Sequence, residues 1–281
     1  MRPTQNGVTS RLLSARGSSP ALELLEVKPS KDGSPPIICL HGAFGGAWMW
    51  EEFLQIMAER GRHAAAVSVR GHGMSAGRQI LRSATLAHYT SDVLRAMAEF
   101  GEPPIMVAHS LGALLAQRLL GRTAIRALVM LAPLPPEGML LTSPRLMATA
   151  PTTWFRILHA MLGFGAPALQ ELKELIFSSR FTPVDVDRHM ARMVIESMQV
   201  LIESHLPLPT TPAFVLGVPT LVIAGDADRL VPNEFAWRTA LYHGAEFIAA
   251  PGFGHLLHLE PGADQIAQMA IHWLEQRSLL L

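Results

Sequence analysis

The chain contains 281 residues, of which 49% are hydrophobic and 16% charged, and its 23 basic and 23 acidic residues leave no net charge. A chain of this length buries a large core and fits a single α/β domain. The charge balance argues against an extended basic surface for nucleic acid or anionic lipid. Because no apolar run reaches the length of a membrane-spanning helix, we expect a cytoplasmic protein that binds no nucleic acid and does not insert into a membrane.

The first 20 residues and the single cysteine indicate whether the chain has a secretory signal or an internal disulfide. Residues 1–20 are polar and lack the apolar core of a secretory signal, which predicts a flexible tail. Cys39 is the one cysteine, so the chain has no internal disulfide. Its position within the apolar run 37–40 predicts a small buried hydrophobic side chain.

Short apolar runs alternate with helical patterns from residue 21 onward. The predicted strands are residues 21–27, 37–40, 63–69, 105–108, 125–131, 219–224 and 246–250. The predicted helices are residues 51–60, 84–100, 111–119 and 263–276. The first strand has weak strand character and is expected at an edge. The alternation predicts an α/β fold with a mostly parallel central sheet and helices on both faces, made of residues 21–133 and 216–281.

Residues 134–215 interrupt this alternation, because they contain helical patterns but no strong strand. Thr182 and Pro183 are typical of a helix N-cap and first turn, and apolar residues recur at helical spacing from Met190 to Ile202. We expect a helical cap inserted into the sheet domain. Its apolar surface suits either a lid over a site or a homodimer contact.

Methionine and aromatic side chains are suited to an adaptable apolar pocket. They are concentrated in the first part of the predicted cap. The candidate pocket residues are Phe44, His109, Met139, Trp154, Phe155 and Met161.

Ser110 lies between the predicted strand 105–108 and the predicted helix that begins at residue 111. Ser110 has Ala108 two residues before it and Gly112 two residues after it, and leucines recur at helical spacing over residues 111–119. A strand that turns so sharply into a helix needs small neighbours, and the pattern is the alanine variant of the Gly-x-Ser-x-Gly nucleophile elbow. Taken alone, the pattern fits equally a serine that caps an ordinary core helix.

A serine hydroxyl becomes a nucleophile only when a base removes its proton and a carboxylate holds that base. Both partners follow the predicted cap, in loops after predicted strands: Asp226 and Asp228 after one, and His255 after the next. The carboxyl ends of parallel strands share one edge of a sheet. We therefore expect Ser110, an aspartate and His255 to meet there, in the chain order serine, acid, histidine.

With these motifs the chain resembles the α/β-hydrolase fold superfamily, and in particular its fold-1 esterase and haloperoxidase-like group, over residues 37–273. The motifs are His-Gly at 41–42, Gly-His-Gly-Met-Ser at 71–75, the elbow at 108–112, Gly-Asp-Ala-Asp at 225–228 and Gly-His at 254–255. Residues 41–50 are also similar to a stretch of plant methylesterases and hydroxynitrile lyases.

The resemblance implies a catalytic role for Ser110 as nucleophile and for His255 as base. It places the acid at Asp228, three residues after the glycine of its motif, with Asp226 as the alternative.

An oxyanion hole is expected from two backbone N–H groups. One belongs to Leu111, directly after the nucleophile, and the other to Ala43, directly after the His-Gly pair, with Phe44 as the alternative to Ala43. None of the histidines has metal-ligand spacing with carboxylate or cysteine support, so we expect no metal and no cofactor.

Two positions depart from the commonest pattern of the resembled group: Ala108, where the elbow most often has glycine, and Ser68. Ser68 occupies a position where many relatives have an aspartate, which is usually structural. The elbow carries a serine rather than an aspartate, which argues against haloalkane dehalogenase or epoxide hydrolase chemistry.

The expected function is that of a serine carboxylesterase-type hydrolase. It would cleave an ester, lactone or thioester with a hydrophobic portion through an acyl-enzyme, so its expected partner is a small hydrophobic ester-like molecule. Carbon–carbon bond hydrolases, lyases, cofactor-free oxygenases and perhydrolases use the same three residues. A non-catalytic hydrolase-fold receptor is the alternative from another class, and fold alone does not separate these.

Overall fold

The computed structural model describes residues 2–3, 7–28, 34–138, 147–148, 151–152, 154–155, 166–207 and 209–281. The strands of this part of the chain, numbered β1 to β9, are Arg2–Pro3, Thr9–Leu13, Leu22–Val27, Ile37–Leu40, Ala64–Val67, Ile105–His109, Ala127–Leu131, Thr220–Gly225 and Glu246–Ala250. The longer helices, numbered α1 to α8, are Glu51–Glu59, Leu86–Met97, Leu111–Leu119, Ala166–Ile176, Pro183–Arg192, Met198–His205, Asn233–His243 and Ala263–Gln276. Short 3₁₀ helices lie at Ala47–Trp50, Arg78–Ser83 and Ala213–Leu216.

The strands form one sheet in the order β1-β2-β3-β5-β4-β6-β7-β8-β9. Strands β4 to β9 are parallel, whereas β1, β2 and β3 are antiparallel to their neighbours. Successive side chains of a strand point to opposite faces. In β4, Ile37 and Cys39 join the core under α1 and α8, while Ile38 and Leu40 join the core under α2, α3 and α7. The predicted mostly parallel α/β fold with helices on both faces is confirmed.

Two expectations for the N-terminal part are wrong. Residues 9–13 are not a flexible tail, because they pair with β3 in a register that runs from Thr9 opposite Glu26 to Leu13 opposite Leu22. Strand β3 is not an edge strand, because β2 covers one side and β5 the other. A polar sequence suffices for β2, since its backbone groups satisfy the outer edge of β3 while Leu13 alone is buried.

Helices α4, α5 and α6 lie between β7 and β8 in the chain. Helix α5 begins where predicted, because the Thr182 hydroxyl accepts from the Asp185 N–H and the Asp185 carboxylate accepts from the Thr182 N–H. Leu172 and Ile176 of α4 are buried in the same cluster as Phe44. This part of the chain therefore packs onto the sheet domain.

The helical pattern expected from Met190 to Ile202 is interrupted. Helix α5 ends at Arg192, α6 begins at Met198, and the residues between them are not helical. The Val194 N–H donates to the Phe44 carbonyl over 2.9 Å, and the Ser197 hydroxyl accepts from the Val200 N–H to cap α6. Between α5 and α6, a tertiary hydrogen bond at Val194 and a helix cap at Ser197 thus replace the hydrogen bonds of a continuous helix. In the part of the chain that the structure describes, no helix is long and apolar enough to cross a membrane.

Candidate active site

Ser110 lies at the turn between β6 and α3 in a strained conformation. Its φ of 50° and ψ of −116° lie outside the regions that residues with a side chain ordinarily occupy. The Ser110 N–H donates to the Leu131 carbonyl over 3.0 Å, which fixes the turn to the neighbouring strand. Gly112 is required beside it, because a Cβ there would lie 2.5 Å from the His41 carbonyl oxygen and 2.6 Å from that of Leu40. The elbow geometry expected from the sequence is present.

A continuous hydrogen-bond chain joins the three residues that the sequence singles out. His255 Nε2 lies 3.1 Å from Ser110 Oγ, and His255 Nδ1 lies 2.8 Å from Asp228 Oδ2. A carboxylate only accepts, so Nδ1 carries the proton and Nε2 is left to accept from the serine hydroxyl. All three residues are buried, with exposed fractions of 6% for Ser110, 8% for Asp228 and 3% for His255. Their hydrogen bonds therefore lie in a largely water-excluded site, where electrostatic interactions are strong.

The geometry separates the two candidate aspartates. Asp228 Oδ1 accepts from the N–H groups of Leu230 and Val231 over 2.8 Å and 2.9 Å, which holds the other oxygen toward His255. Asp226 is exposed, and its carboxylate accepts instead from the Gly252 N–H over 2.6 Å. The structure therefore brings Asp228, and not Asp226, to the histidine.

The loops that carry the acid and the histidine are locked together. The Ala227 N–H donates to the Phe253 carbonyl over 2.9 Å, and a Cβ at Gly225 would lie 2.1 Å from that same oxygen. The Gly254 N–H donates to Glu260 Oε1 over 2.9 Å, and a Cβ at Gly254 would lie 2.8 Å from that oxygen. Gly254 thus makes room for the Glu260 carboxylate.

The backbone N–H groups near Ser110 differ in whether they are already occupied. The Phe44 N–H donates to Glu196 Oε2 over 3.3 Å. Leu111 is the first residue of α3, where helix N–H groups have no partner within the helix. Among the described residues, neither the Ala43 nor the Leu111 N–H has a hydrogen-bond acceptor. This favours Ala43 over Phe44 as the second oxyanion donor.

The chain matches one family of known proteins. The sequence model of the alpha/beta hydrolase family matches residues 37–268. The chain belongs to this family. A search of curated proteins gives no match.

Solved structures of other hydrolases share the fold of this α/β-hydrolase. An epoxide hydrolase from Vigna radiata has a TM-score of 0.73 at 16% identity, over 98% of this chain and 100% of that one. A thermophilic esterase from Thermogutta terrifontis has a TM-score of 0.73 at 16% identity, over 97% and 100%. A carboxylesterase of Nitrososphaera gargenis has a TM-score of 0.69 at 14% identity, over 95% and 100%. At these identities the likeness shows the fold alone.

Ser68, the departure from the resembled hydrolases, acts with a carboxylate from another strand. Its hydroxyl donates to Glu23 Oε2 and accepts from the Ala47 N–H, both over 2.7 Å. Glu23 Oε2 also accepts from the Met74 N–H over 2.9 Å. A carboxylate from β3 therefore reaches the loop after β5. Ser68 bonds in turn to Ala47, at the end of the glycine-rich loop, residues 41–47, that follows β4.

His41, a buried histidine of this hydrolase, links two of its loops. His41 Nδ1 donates to the Gly42 carbonyl over 2.7 Å, and its Nε2 accepts from the Val69 N–H over 3.2 Å. Burial, together with His72, lowers the pKa of His41 to about 3. His41 is thus a neutral link between two loops.

His109, predicted to line the pocket, lies beneath His255. Its Nε2 donates to the His255 carbonyl over 2.9 Å, and the residue is 2% exposed. Burial, followed by repulsion from His258 and His255, holds the pKa of His109 well below its ordinary value. The His109 ring thus supports the backbone of the loop that carries His255, and its place in the pocket stays a prediction.

The other predicted pocket residues are only partly described. Met139 and Met161 lie outside the described residues. Phe44 is buried in the core cluster, and Trp154 is half-buried with its ring centroid 5.0 Å from that of Phe155. Phe155 is 62% exposed, and its place in the pocket stays a prediction.

Glu196 is a buried acid near the candidate site that the sequence does not point to. It lies in the interrupted segment between α5 and α6 and contacts the glycine-rich loop. At the helical spacing expected for residues 190–202, position 196 falls on the polar side, where an acid is typical of a solvent-facing surface. The sequence carries no signal for its burial. Among the described residues, no group of three or more potential ligands is arranged to hold a metal ion.

Proposed function

We propose that this protein is a serine hydrolase that cleaves a carboxylic ester, lactone or thioester with a hydrophobic portion through an acyl-enzyme intermediate. One observation carries the proposal: Asp228, His255 and Ser110 form an unbroken hydrogen-bond chain that ends at a strained, elbow-mounted hydroxyl. A serine, rather than the aspartate that epoxide opening would need, stands at the elbow.

Acylation begins at the Ser110 hydroxyl. As Oγ attacks the acyl carbon, its proton passes to His255 Nε2, which lies 3.1 Å away. The resulting imidazolium is stabilised by Asp228, which also keeps the ring in the tautomer that leaves Nε2 free to accept. The two N–H groups on Asp228 Oδ1 hold that carboxylate in place.

The developing oxyanion is bound by the Ala43 and Leu111 N–H groups. Leu111 adds the positive end of the α3 dipole to its own N–H. Loss of one such donor typically lowers the catalytic rate by about 10²- to 10³-fold.

Collapse of the tetrahedral intermediate releases the alcohol, which takes the proton from His255. The same nitrogen then accepts a proton from water, whose oxygen attacks the acyl-serine and releases the acid. Ser110 recovers its proton, so the cycle needs no cofactor.

The insertion over residues 134–215 is proposed to act as the cap over this site. Support comes from α4, whose Leu172 and Ile176 share a buried apolar cluster with Phe44. The pocket residues predicted from the sequence remain proposals: Phe44, His109, Met139, Trp154, Phe155 and Met161. An apolar cover of this kind suits a hydrophobic acyl or alcohol group.

Hydrolysis of p-nitrophenyl esters from acetate to laurate tests the proposal. Turnover by the parent chain is expected, with Ser110→Ala and His255→Ala lowering kcat by about 10⁴-fold or more while the proteins stay folded. A parent chain that is folded, hydrolyses no ester and leaves Ser110 unlabelled by a fluorophosphonate would refute the proposed function.

A further inference from the structure

The buried carboxylate of Glu196 meets hydrogen-bond donors from separate parts of the fold. Its Oε1 accepts from the Tyr89 hydroxyl over 2.5 Å and from the Ser197 N–H over 2.8 Å. Its Oε2 accepts from the Phe44 N–H over 3.3 Å and lies 3.2 Å from His72 Nε2. Glu196 therefore joins the segment between α5 and α6 to α2, to the loop after β5 and to the glycine-rich loop after β4.

The charge of Glu196 is retained in spite of its burial. Burial alone would raise the pKa of Glu196, but His72, Tyr89 and the Ser197 N–H outweigh it and lower the pKa to about 2. Burial would likewise lower the pKa of His72, yet the Glu196 carboxylate raises it. A buried ion pair is weak evidence of a stabilising device, since apolar residues of the same volume often stabilise as well or better. The placement of this pair points to another role.

That role is indicated by the backbone of Phe44. Phe44 has a φ of 65°, a left-handed conformation that a bulky residue keeps only when its surroundings impose it. Its N–H is held by Glu196 and its carbonyl accepts from the Val194 N–H over 2.9 Å. Residues 194–196 thus bind both polar groups of Phe44, and the peptide that joins Ala43 to Phe44 is fixed.

We propose that Glu196 is a positioning residue for the oxyanion hole, acting through Phe44 to aim the Ala43 N–H. This inference rests on the proposed function, in which Ala43 supplies one of the two oxyanion donors. It also means that the insertion between β7 and β8 contributes to the reaction geometry. The far end of the same loop is held separately, by Ser68 at Ala47.

Glu196→Gln and Asp92→Asn form the matched pair that tests the role. Glutamine keeps the shape of Glu196, but its amide nitrogen faces donors where an acceptor is needed. Asp92 is also wholly buried, and its carboxylate accepts from the Arg70 N–H and guanidinium over 2.7 to 3.0 Å. Among the described residues, it has no hydrogen bond to the glycine-rich loop after β4. The control therefore removes a buried charge of the same kind elsewhere.

Ester kinetics and inhibitor binding are measured on the parent and both variants. For Glu196→Gln we expect kcat to fall about 10- to 100-fold, with KM within about threefold of the parent. This fall in kcat is smaller than the loss of a whole oxyanion donor would cause, because the Ala43 N–H is misaimed rather than removed. The Ki of a trifluoromethyl ketone, which forms the oxyanion, should rise by the same factor, while the Ki of the product acid is unchanged. Asp92→Asn should lose thermal stability and keep kcat within about twofold.

A kcat for Glu196→Gln within about twofold of the parent, or a loss matched by Asp92→Asn, would overturn the proposal. Amide resonances of Ala43 and Phe44, recorded on the parent and Glu196→Gln, separate this failure from that of the proposed function. If the parent has no esterase activity but these two resonances shift in the variant, the proposed function fails and the positioning of the loop stands. If they do not shift, the positioning role fails whatever the activity.

Discussion

His109 Nε2 donates to the backbone carbonyl of His255 over 2.9 Å, so the residue directly before the elbow serine supports the proposed base. The same two chain segments meet a second time where His255 Nε2 contacts Ser110 Oγ. Ser110 and His255 are thus joined by a side-chain bond and, one residue away, by the bond from His109 to the His255 backbone. Relative motion of the β6–α3 turn and the loop after β9 that carries His255 would break both hydrogen bonds.

Replacing His109 by phenylalanine tests this support. The variant keeps the ring and leaves the His255 carbonyl unsatisfied, which should cost about 1 to 3 kcal/mol of stability. We expect kcat to fall about tenfold with little change in KM, because the base is less well held.

His258→Phe is the matched control for that measurement. Neither ring nitrogen of His258 has a partner among the described residues, and its ring centroid lies 4.6 Å from that of Trp50. Removing two unbonded polar atoms should leave stability equal or higher, with kcat unchanged. Urea denaturation and steady-state kinetics check both variants, and an equal loss of kcat in the two would contradict the role given to His109.

The two aspartates of the acid loop are predicted to differ sharply. Asp228→Asn should lower kcat by about 10⁴-fold, because the amide no longer accepts from His255 Nδ1 and the ring turns to the wrong tautomer. Asp226→Asn removes an exposed carboxylate that binds the Gly252 N–H, so kcat should stay within about threefold. Ester hydrolysis by the two purified variants decides the assignment. A larger loss for Asp226→Asn would reverse it.

Gly112 is expected to tolerate no side chain. A Cβ there would meet the backbone carbonyl oxygens of His41 and Leu40 at 2.5 Å and 2.6 Å, and backbone does not move aside cheaply. Gly112→Ala should destabilise the fold by about 2 to 4 kcal/mol, which is severe overpacking. Gly101→Ala is the control, since nothing lies within 4 Å of its Cβ position. Equal unfolding free energies for the two variants would show that the elbow has room.

The buried histidines predict how stability depends on pH. Burial lowers the pKa of His258 to about 3, that of His243 to about 4 and, together with His72, that of His41 to about 3. These side chains take up protons only on unfolding, so stability is full above the ordinary pKa of 6.5 and falls as the pH drops below it. Each contributes about 1.4 kcal/mol per pH unit in that window.

His258→Phe isolates one of these contributions. The free energy of unfolding is measured by urea denaturation at pH 7, 6 and 5. Between pH 6 and 5 it should fall less for the His258→Phe variant than for the parent, by about 1.4 kcal/mol per pH unit. His72 has the opposite sign, because its raised pKa gives stability that is lost as the pH rises. Parallel pH profiles for the parent and the variant would show that His258 has the same pKa in the folded and unfolded states, and would contradict this prediction.

Local patterns predicted the elements that carry the candidate site. Strands β4 and β9 and helix α8 begin and end at the predicted residues, because apolar runs bounded by glycine and proline specify them locally. Ser110, Asp228 and His255 meet because the topology of a parallel sheet brings strand ends to one edge. Their catalytic roles stay predictions until activity is measured.

What the sequence did not reveal depends on tertiary partners. Strand β2 is polar and forms because β3 offers it an edge. Glu196 is buried through a bond to Phe44, 152 residues away in the chain, which no local periodicity reports. A neighbouring bond lies where the helix expected over residues 190–202 is interrupted: the Val194 N–H donates to the Phe44 carbonyl in place of a helical partner.

Trapping a covalent adduct on Ser110 is the most direct test of the proposed serine nucleophile. The parent chain is mixed with a fluorophosphonate or a slowly hydrolysed p-nitrophenyl ester, quenched in acid and analysed by intact-protein and peptide mass spectrometry. One adduct per chain, located on Ser110 and absent from Ser110→Ala, is the predicted result. An adduct on another residue, or ester turnover that persists in Ser110→Ala, would contradict the account.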